Sequence, residues 1–222
     1  YDIGAQTKHL GAYQGHGNVA HPHGILITWA VITEGGFQVN NAGQRFWNEA
    51  QGYSEAARAV LSQLNGEAFA IFDERIASIA RQFADFKQAE SVGALYQGDT
   101  LMELADVLGL PADQLMATAA DIPLGRTDIF GRKFGRTGLT APFYGVRVTG
   151  ALFHTQGGLL INDQAQVLRT NGSAFGNLYA GGGAACGVSG QGDSGYLSGN
   201  GLLSAFVLGR RAGQAQIGPV VL

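Results

Sequence analysis

Between Phe153 and Gly213 the chain reads FHTQGGLLIND, then NLYAGGGAACG, then GYLSGNGLLSAFVLGRRAG. A buried-strand pattern, a glycine-dense loop and an apolar helix follow one another, with His154 at the entrance. Glycines beside a helix start let the backbone approach a ligand where side chains would block it. The order suits a large flat ligand whose polar edge meets the amides of a helix N-terminus. No other stretch of the chain points as clearly to a cofactor.

Glycine supplies 35 of the 222 residues against five prolines, with no collagen period, so the fold needs many tight turns and close backbone approaches. The length suits one large domain or two small ones with real cores. Only 14% of residues are charged and the formal net charge is −3, which argues against nucleic acid and against a polybasic membrane patch. No stretch reaches the apolar length of a membrane span. The single Cys186 excludes an internal disulfide framework, in keeping with a reducing, cytoplasmic setting.

The opening segment through Gly24 is polar and glycine-rich and holds four of the five histidines. ILITWAVITEGGFQVN reads as strand, turn, strand, broken at Glu34-Gly35-Gly36. Ser54–Leu64 has helical spacing with Ser54 as N-cap, and EAFAIFDE is a short strand. Helical spacing recurs over Glu74–Lys87 and Thr100–Leu108, and Pro111 takes the first position of a further helix. PLGRTDIFGRKFGRTGLTAP is a basic loop. FYGVRVTGALFHT alternates as a strand, GLLINDQAQVLRTNG is a hairpin turning at Asn162-Asp163, and NLYAGG is a last strand. Gly199 or Asn200 opens the final helix, through Ala212. The expected class is α+β: a helix-rich domain with a small sheet, 12–140, inserted between flanks 1–11 and 141–222.

Several motifs compete for a function. Gly190, Gly192 and Gly195 spell G-x-G-x-x-G, but a dinucleotide fingerprint needs a helix directly after it and an acid about 20 residues on. Arg210 and Arg211 end the helix here, so the match reads as a glycine-rich loop. Gly192-Asp193-Ser194-Gly195 copies the surroundings of a trypsin-like nucleophile, making a serine hydrolase through Ser194 a rival reading. The helical middle and the absence of disulfides oppose it. His16, His21 and His23 lack neighbouring cysteines and read as a polar loop rather than a metal site. Arg126, Arg132 and Arg136 read as solvated charges. His154, where a strand opens into Gly157-Gly158, can reach a pocket.

The run FHTQGGLLINDQAQVLRTNGSAFGNLYAGGGA followed by GNGLLSAFVLGRRAG resembles the flavoprotein subunits of fumarate reductase and succinate dehydrogenase and their soluble relatives. VNNAGQRFWNEAQGY, with Arg45-Phe46 and Asn48-Glu49, looks like the same family's capping-domain motif. The resemblance covers essentially the whole chain and implies FAD as cofactor. It also implies a C-terminal fragment, without the strand-GxGxxG-helix that holds the FAD pyrophosphate, and colourless and inactive if isolated. The implied cofactor contacts are Gly157, Gly158, Gly182, Gly183, Gly199, Asn200, Leu202 and Leu203.

By the same resemblance His154 matches the substrate histidine of an H-T-x-G-G motif, and His16 and Thr28 fall where one substrate carboxylate is held. The chain departs from the family at decisive points. Tyr53 replaces the catalytic arginine, Trp29 and Ile32 replace its Glu and Arg relay, and the glycine loop offers Tyr196 in place of a second arginine. Gly183 replaces the family's usual Glu. Without two guanidinium forks a dicarboxylate loses its natural bidentate partners. The tyrosines look more like those of ketosteroid dehydrogenases, where a Tyr serves as acid or base. The expectation is hydride transfer between flavin and a C–C bond beside an activating group, on a small molecule other than fumarate or succinate. Tyr53, Tyr196 and His154 are its catalytic candidates, and the electron partner is open. A non-catalytic module with a degenerate flavin site is the remaining rival.

Overall fold

The computed structural model describes residues 3–193 and 195–217. In chain order its elements are β1 (Thr7–Lys8), β2 (Tyr13–Ala20), β3 (Ile25–Leu26), α1 (Ala30–Thr33), β4 (Phe37–Val39) and α2 (Tyr53–Leu61). Next come β5 (Glu67–Asp73), α3 (Glu74–Ala80), α4 (Ala84–Ser91), β6 (Tyr96–Gly98), α5 (Leu101–Leu108) and α6 (Ala112–Ala120). β7 (Phe143–Thr155), β8 (Gly158–Leu159), β9 (Gln166–Leu168), β10 (Ala174–Tyr179) and α7 (Asn200–Ile217) complete the α+β arrangement. Two compact units form, one from residues 16–151 and one from residues 1–15 with 152–222.

The 16–151 unit is built on a sheet of order β3-β2-β7-β5-β4, with β6 also on β7. β5 shows why its two faces are both buried. Ala68, Ala70 and Phe72 enter a cluster with Ile76, Phe86 and Val146. Phe69 and Ile71 enter another with Phe37, Leu104, Leu108 and Leu115. Successive strand residues point to opposite faces, so helices cover both sides of the sheet. Each fully buried Phe or Leu stabilises by roughly 1.5–3 kcal/mol relative to exposure. On β2, an added Cβ at Gly17 would lie 2.3 Å from the Ala56 carbonyl carbon, so only glycine lets α2 sit this close. Glycine-rich sequence thus hides an eight-residue strand where only polar loop was expected.

Other local expectations also shift. Ala30–Thr33 is a helical turn rather than strand, with Val31 and Ile32 both buried, which alternation could not achieve. Gly52, at φ 127°, precedes α2; Ser54 lies inside the helix, buried, and is no cap. Pro111 precedes α6 in extended conformation instead of opening it. The helical spacing over 74–87 breaks into α3 and α4. That corner returns Phe86 and Ala89 to the cluster already entered by Ile76, Ala77 and Ala80. Arg81 pins it by bonding both Glu74 and Glu90. Of the two residues able to cap α5, Asp99 and Thr100, Thr100 does so, accepting from the Glu103 amide at 3.1 Å. β7 spans the strand read from its alternation, but pairs with β5 from Phe143 to Thr149, tying residues 143–151 to the helical unit.

In the other unit β1 pairs with β8 and β9 with β10. The hairpin turns at Asn162, whose side-chain oxygen accepts from the Gln164 and Gln166 amides. Val167, Ala180 and Ala185 form its small core, with Leu208 of α7 packed on it. Leu202 (84% exposed) and Phe206 (75%) on α7 face outward. Among the described residues no helix is long and apolar enough to cross a membrane.

Candidate functional site

In the 16–151 unit, strand β2 supplies His16, the segment before α1 supplies Thr28 and Trp29, and the first residue of α2 is Tyr53. Gly52 lets the chain turn into α2 through a conformation side chains rarely adopt, which sets Tyr53 at the helix start. The Tyr53 ring stacks on His16 with centroids 5.1 Å apart and planes 20° from parallel. Trp29 meets His16 edge-on at 5.7 Å and Tyr53 at 6.4 Å. Thr28 Oγ1 accepts from the Ala30 amide at 3.3 Å, leaving its proton to donate elsewhere. The structure therefore gathers His16 and Tyr53, with Trp29 as the third ring.

His16 is neutral at physiological pH. Burial pushes its pKa down from 6.5 to about 4, and its Nδ1 accepts from the Asn18 amide at 3.2 Å, so Nε2 carries the proton. Sequence reading missed the chain of amides behind it. Trp47 Nε1 donates to Gln38 Oε1 at 3.0 Å, and Gln38 Nε2 donates to the Gly17 carbonyl and to Asn18 Oδ1. A buried Gln in an apolar strand was the available signal. This depressed pKa has a stability consequence with a definite sign. Folded His16 stays neutral where unfolded His16 takes up a proton, so its contribution is complete above pH 6.5 and lost as pH falls toward 4. Urea unfolding at pH 7.5 and 4.5 should show an acid loss in the wild type about 2–3 kcal/mol larger than in His16→Gln. Equal losses would contradict the neutral state.

The same unit holds four charges with buried side chains. Arg45 Nε donates to Glu49 Oε1 at 3.0 Å, and the same guanidinium pairs with Asp128. Arg132 lies 3.3 Å from Glu49 Oε2 and donates to the carbonyls of Ile32 and Gly36, both at 2.8 Å. Arg132 is 5% exposed, not solvated as its loop sequence suggested; Arg126 and Arg136 are exposed. Phe134 accounts for this difference, with the Arg132 and Arg45 guanidiniums over its ring at 4.2 and 4.8 Å. By holding Ile32, Arg132 fixes the α1 turn that begins beside Trp29.

In the second unit His154 sits beside Gly183 and Gly201: a Cβ added to either would lie 3.3–3.4 Å from its Nε2. Gln156 Nε2 lies 2.9 Å from His154 Nδ1, and Gln156 Oε1 accepts from Asn200 Nδ2 and from Ser189 Oγ. Asn200, at the start of α7, is thereby joined to His154 through Gln156, a residue the motif reading passed over. Gly157 and Gly158 have a different reason to be glycine. Added side chains would strike the backbone of His9 and of Ala184, so these positions close the fold itself. Gly182, at φ 57°, and Gly183 lie in a 3₁₀ turn, Gly182 nearest Ala205 of α7. Gly199 has φ 83°. The Leu202 and Leu203 side chains are exposed at the first turn.

Gly190 and Gly195 close a loop on themselves, with the Gly190 amide donating to the Gly195 carbonyl at 2.9 Å, and no helix starts there. Tyr196 is half-buried in this unit, and Ser194 lies outside the described residues. Among the described residues no three His, Cys, Asp or Glu side chains gather as a metal site. His21 instead lies 3.2 Å from Glu67.

The arrangement fits a flavin on physical grounds. The Leu203 amide bonds the Gly199 carbonyl, so the Gly201 and Leu202 amides precede the first intrahelical bond. A Cβ added to Gly199 would meet nothing within 4 Å, and the positive helix end suits an electron-rich pyrimidine edge. The FAD binding domain family model matches residues 4–202. "Probable fumarate reductase Ifc3" of Shewanella frigidimarina is 32% identical, the match covering 96% of this chain and 36% of that protein. The 4-oxocyclohexanecarboxylate 2-dehydrogenase of Sinomonas cyclohexanicum is 27% identical, over 99% of this chain and 42% of that protein. The open conformation of a flavocytochrome c3 fumarate reductase superposes with a TM-score of 0.73 at 30% identity, covering 96% of this chain and 38% of that one. The chain thus spans well under half the length of these relatives. It belongs to the FAD-binding family of fumarate reductase-like flavoproteins.

Proposed function

We propose that the protein forms part of an FAD-dependent oxidoreductase acting on a C–C bond beside a carbonyl, or a single carboxylate, rather than on fumarate or succinate. The observation that carries this reading is the neutral, aromatic wall of His16, Trp29 and Tyr53. The nearest family-motif arginine, Arg45, is committed to Glu49 and Asp128, and Arg132 to Glu49 and two carbonyls. A dianion would meet a desolvated, uncharged histidine there and lose more hydration than the site returns. A carbonyl oxygen asks only for hydrogen bonds, which His16 Nε2–H and the Thr28 hydroxyl can donate. Bound FAD supplies hydride acceptance or donation at N5. Tyr53 gives or takes the proton on the neighbouring carbon, with Tyr196 the second candidate, and His154 orients the substrate.

Flavin reduction in the full-length protein tests the reading. Bleaching by a 3-ketosteroid or a cyclic ketone, with none by succinate and no reoxidation by fumarate, is the expected pattern. Reaction with the dicarboxylates at comparable rates would reject it. His154→Ala should weaken substrate binding by about ten-fold or more and FAD binding far less. The opposite ranking would make His154 a cofactor residue.

A further inference from the structure

The 16–151 unit contains a cavity of about 880 Å³ that neither His16, Trp29 nor Tyr53 lines. Its size lies within the range of small-molecule sites. Phe37, Leu101, Met116, Ile122 and Phe143 give it an apolar interior. Its charged lining is one-sided: Arg75, Arg132, Lys133 and Arg136 against Glu34 and Glu49, four cations to two carboxylates. That excess is set in a chain whose formal net charge is −3. Both carboxylates are already engaged. Glu34 lies 3.6 Å from Arg75, and Glu49 serves Arg45 and Arg132. Lys133 and Arg136 are exposed, and neither has an acidic partner within 4 Å among the described residues.

The backbone beneath these two cations is also fixed. The loop carrying them is pinned by Gly125 N to Gly135 O at 2.7 Å, Phe134 N to Arg126 O at 3.0 Å and Asp128 N to Arg132 O at 2.9 Å. Between them Phe134 is buried under the Arg45 and Arg132 guanidiniums. A backbone already fixed by its own bonds costs a ligand little loop ordering, so only the rotamers of the two exposed side chains remain to be ordered. A wholly polar ligand would leave the hollow unused, and a neutral one would leave the charges unused.

We infer that this cavity binds a small amphipathic anion, a monocarboxylate with an apolar body, its head on Lys133 and Arg136 and its body among Phe37, Met116 and Ile122. The inference does not depend on the flavin chemistry proposed above. Octanoate is the probe, titrated calorimetrically into the purified protein at pH 7.5. One saturable site is expected, with 1-octanol and acetate each binding at least about ten-fold more weakly, and with affinity falling as salt rises. The exposed double variant Lys133→Gln/Arg136→Gln should raise the octanoate Kd about ten-fold or more without changing the thermal unfolding midpoint. Ala119→Trp, which fills the hollow, should abolish binding, whereas His154→Ala should leave it unchanged. No saturable heat, equal affinity for octanol, or a Kd untouched by the double variant would each overturn the inference. Loss of binding in His154→Ala alone would assign the probe to the flavin-side unit and overturn it too.

Discussion

Glu49→Ala should lower the unfolding free energy of the 16–151 unit by about 3–5 kcal/mol, the cost of removing one partner from a buried ion network. Glu49 is 1% exposed and accepts from the Gln38 amide, Arg45 Nε and Arg45 Nη2, with Arg132 at 3.3 Å. Without it, among the described residues, Asp128 is the one carboxylate left paired with Arg45, and Arg132 has none within 4 Å. The Gln38 amide loses its acceptor as well, an unsatisfied donor in the middle of the unit. Because Gln38 orders Gly17 and Asn18, the disturbance should pass to His16. Guanidinium chloride unfolding followed by tryptophan emission would measure it, since Trp29 and Trp47 lie in the affected region. A loss below about 1 kcal/mol would show the network to be as weak as a surface pair. Glu49→Gln keeps the shape and one acceptor oxygen but not the charge; the difference between the two variants separates lost hydrogen bonding from lost charge balance.

Tyr53→Phe should cut turnover of the full-length enzyme at least about ten-fold while leaving the flavin absorption band intact, since positioned acid–base groups contribute roughly 10²–10⁴. The variant is a clean one. Phenylalanine keeps the stack on His16 at 5.1 Å and the edge contact with Trp29, so only the hydroxyl is removed. A structural role would appear as lost stability with a normal rate; an acid–base role appears as a lost rate with normal stability. Unchanged turnover would remove Tyr53 from the mechanism and leave Tyr196 as the candidate.

Much of this molecule is legible from its residues, for a reason particular to each segment. Alternation located β7, because a strand with fixed faces must repeat every second residue. Thr100 marked the start of α5 and Asn162 the hairpin turn, because both signals act through bonds to nearby amides. The ordered motifs from His154 to α7 announced the flavin family, since glycine spacing and a helix start are local properties. β2 escaped notice because its Gly17 is demanded by Ala56, 39 positions away, rather than by a turn. Arg132 looked solvated because its partners at Ile32, Gly36 and Glu49 are distant in sequence.

The sequence by itself determined the class of the fold, the family and the residue types available to the site: histidines, tyrosines and bare glycine backbone. Only the tertiary structure decided what state those residues are in. It made His16 neutral by burying it against Tyr53 and Trp29, joined His154 to Asn200 through Gln156, and set Lys133 and Arg136, without an acidic partner among the described residues, in the lining of an apolar hollow. Protonation, hydrogen-bond partners and cavities depend on groups that chain topology brings together from far apart, and no local pattern of residues records that distance.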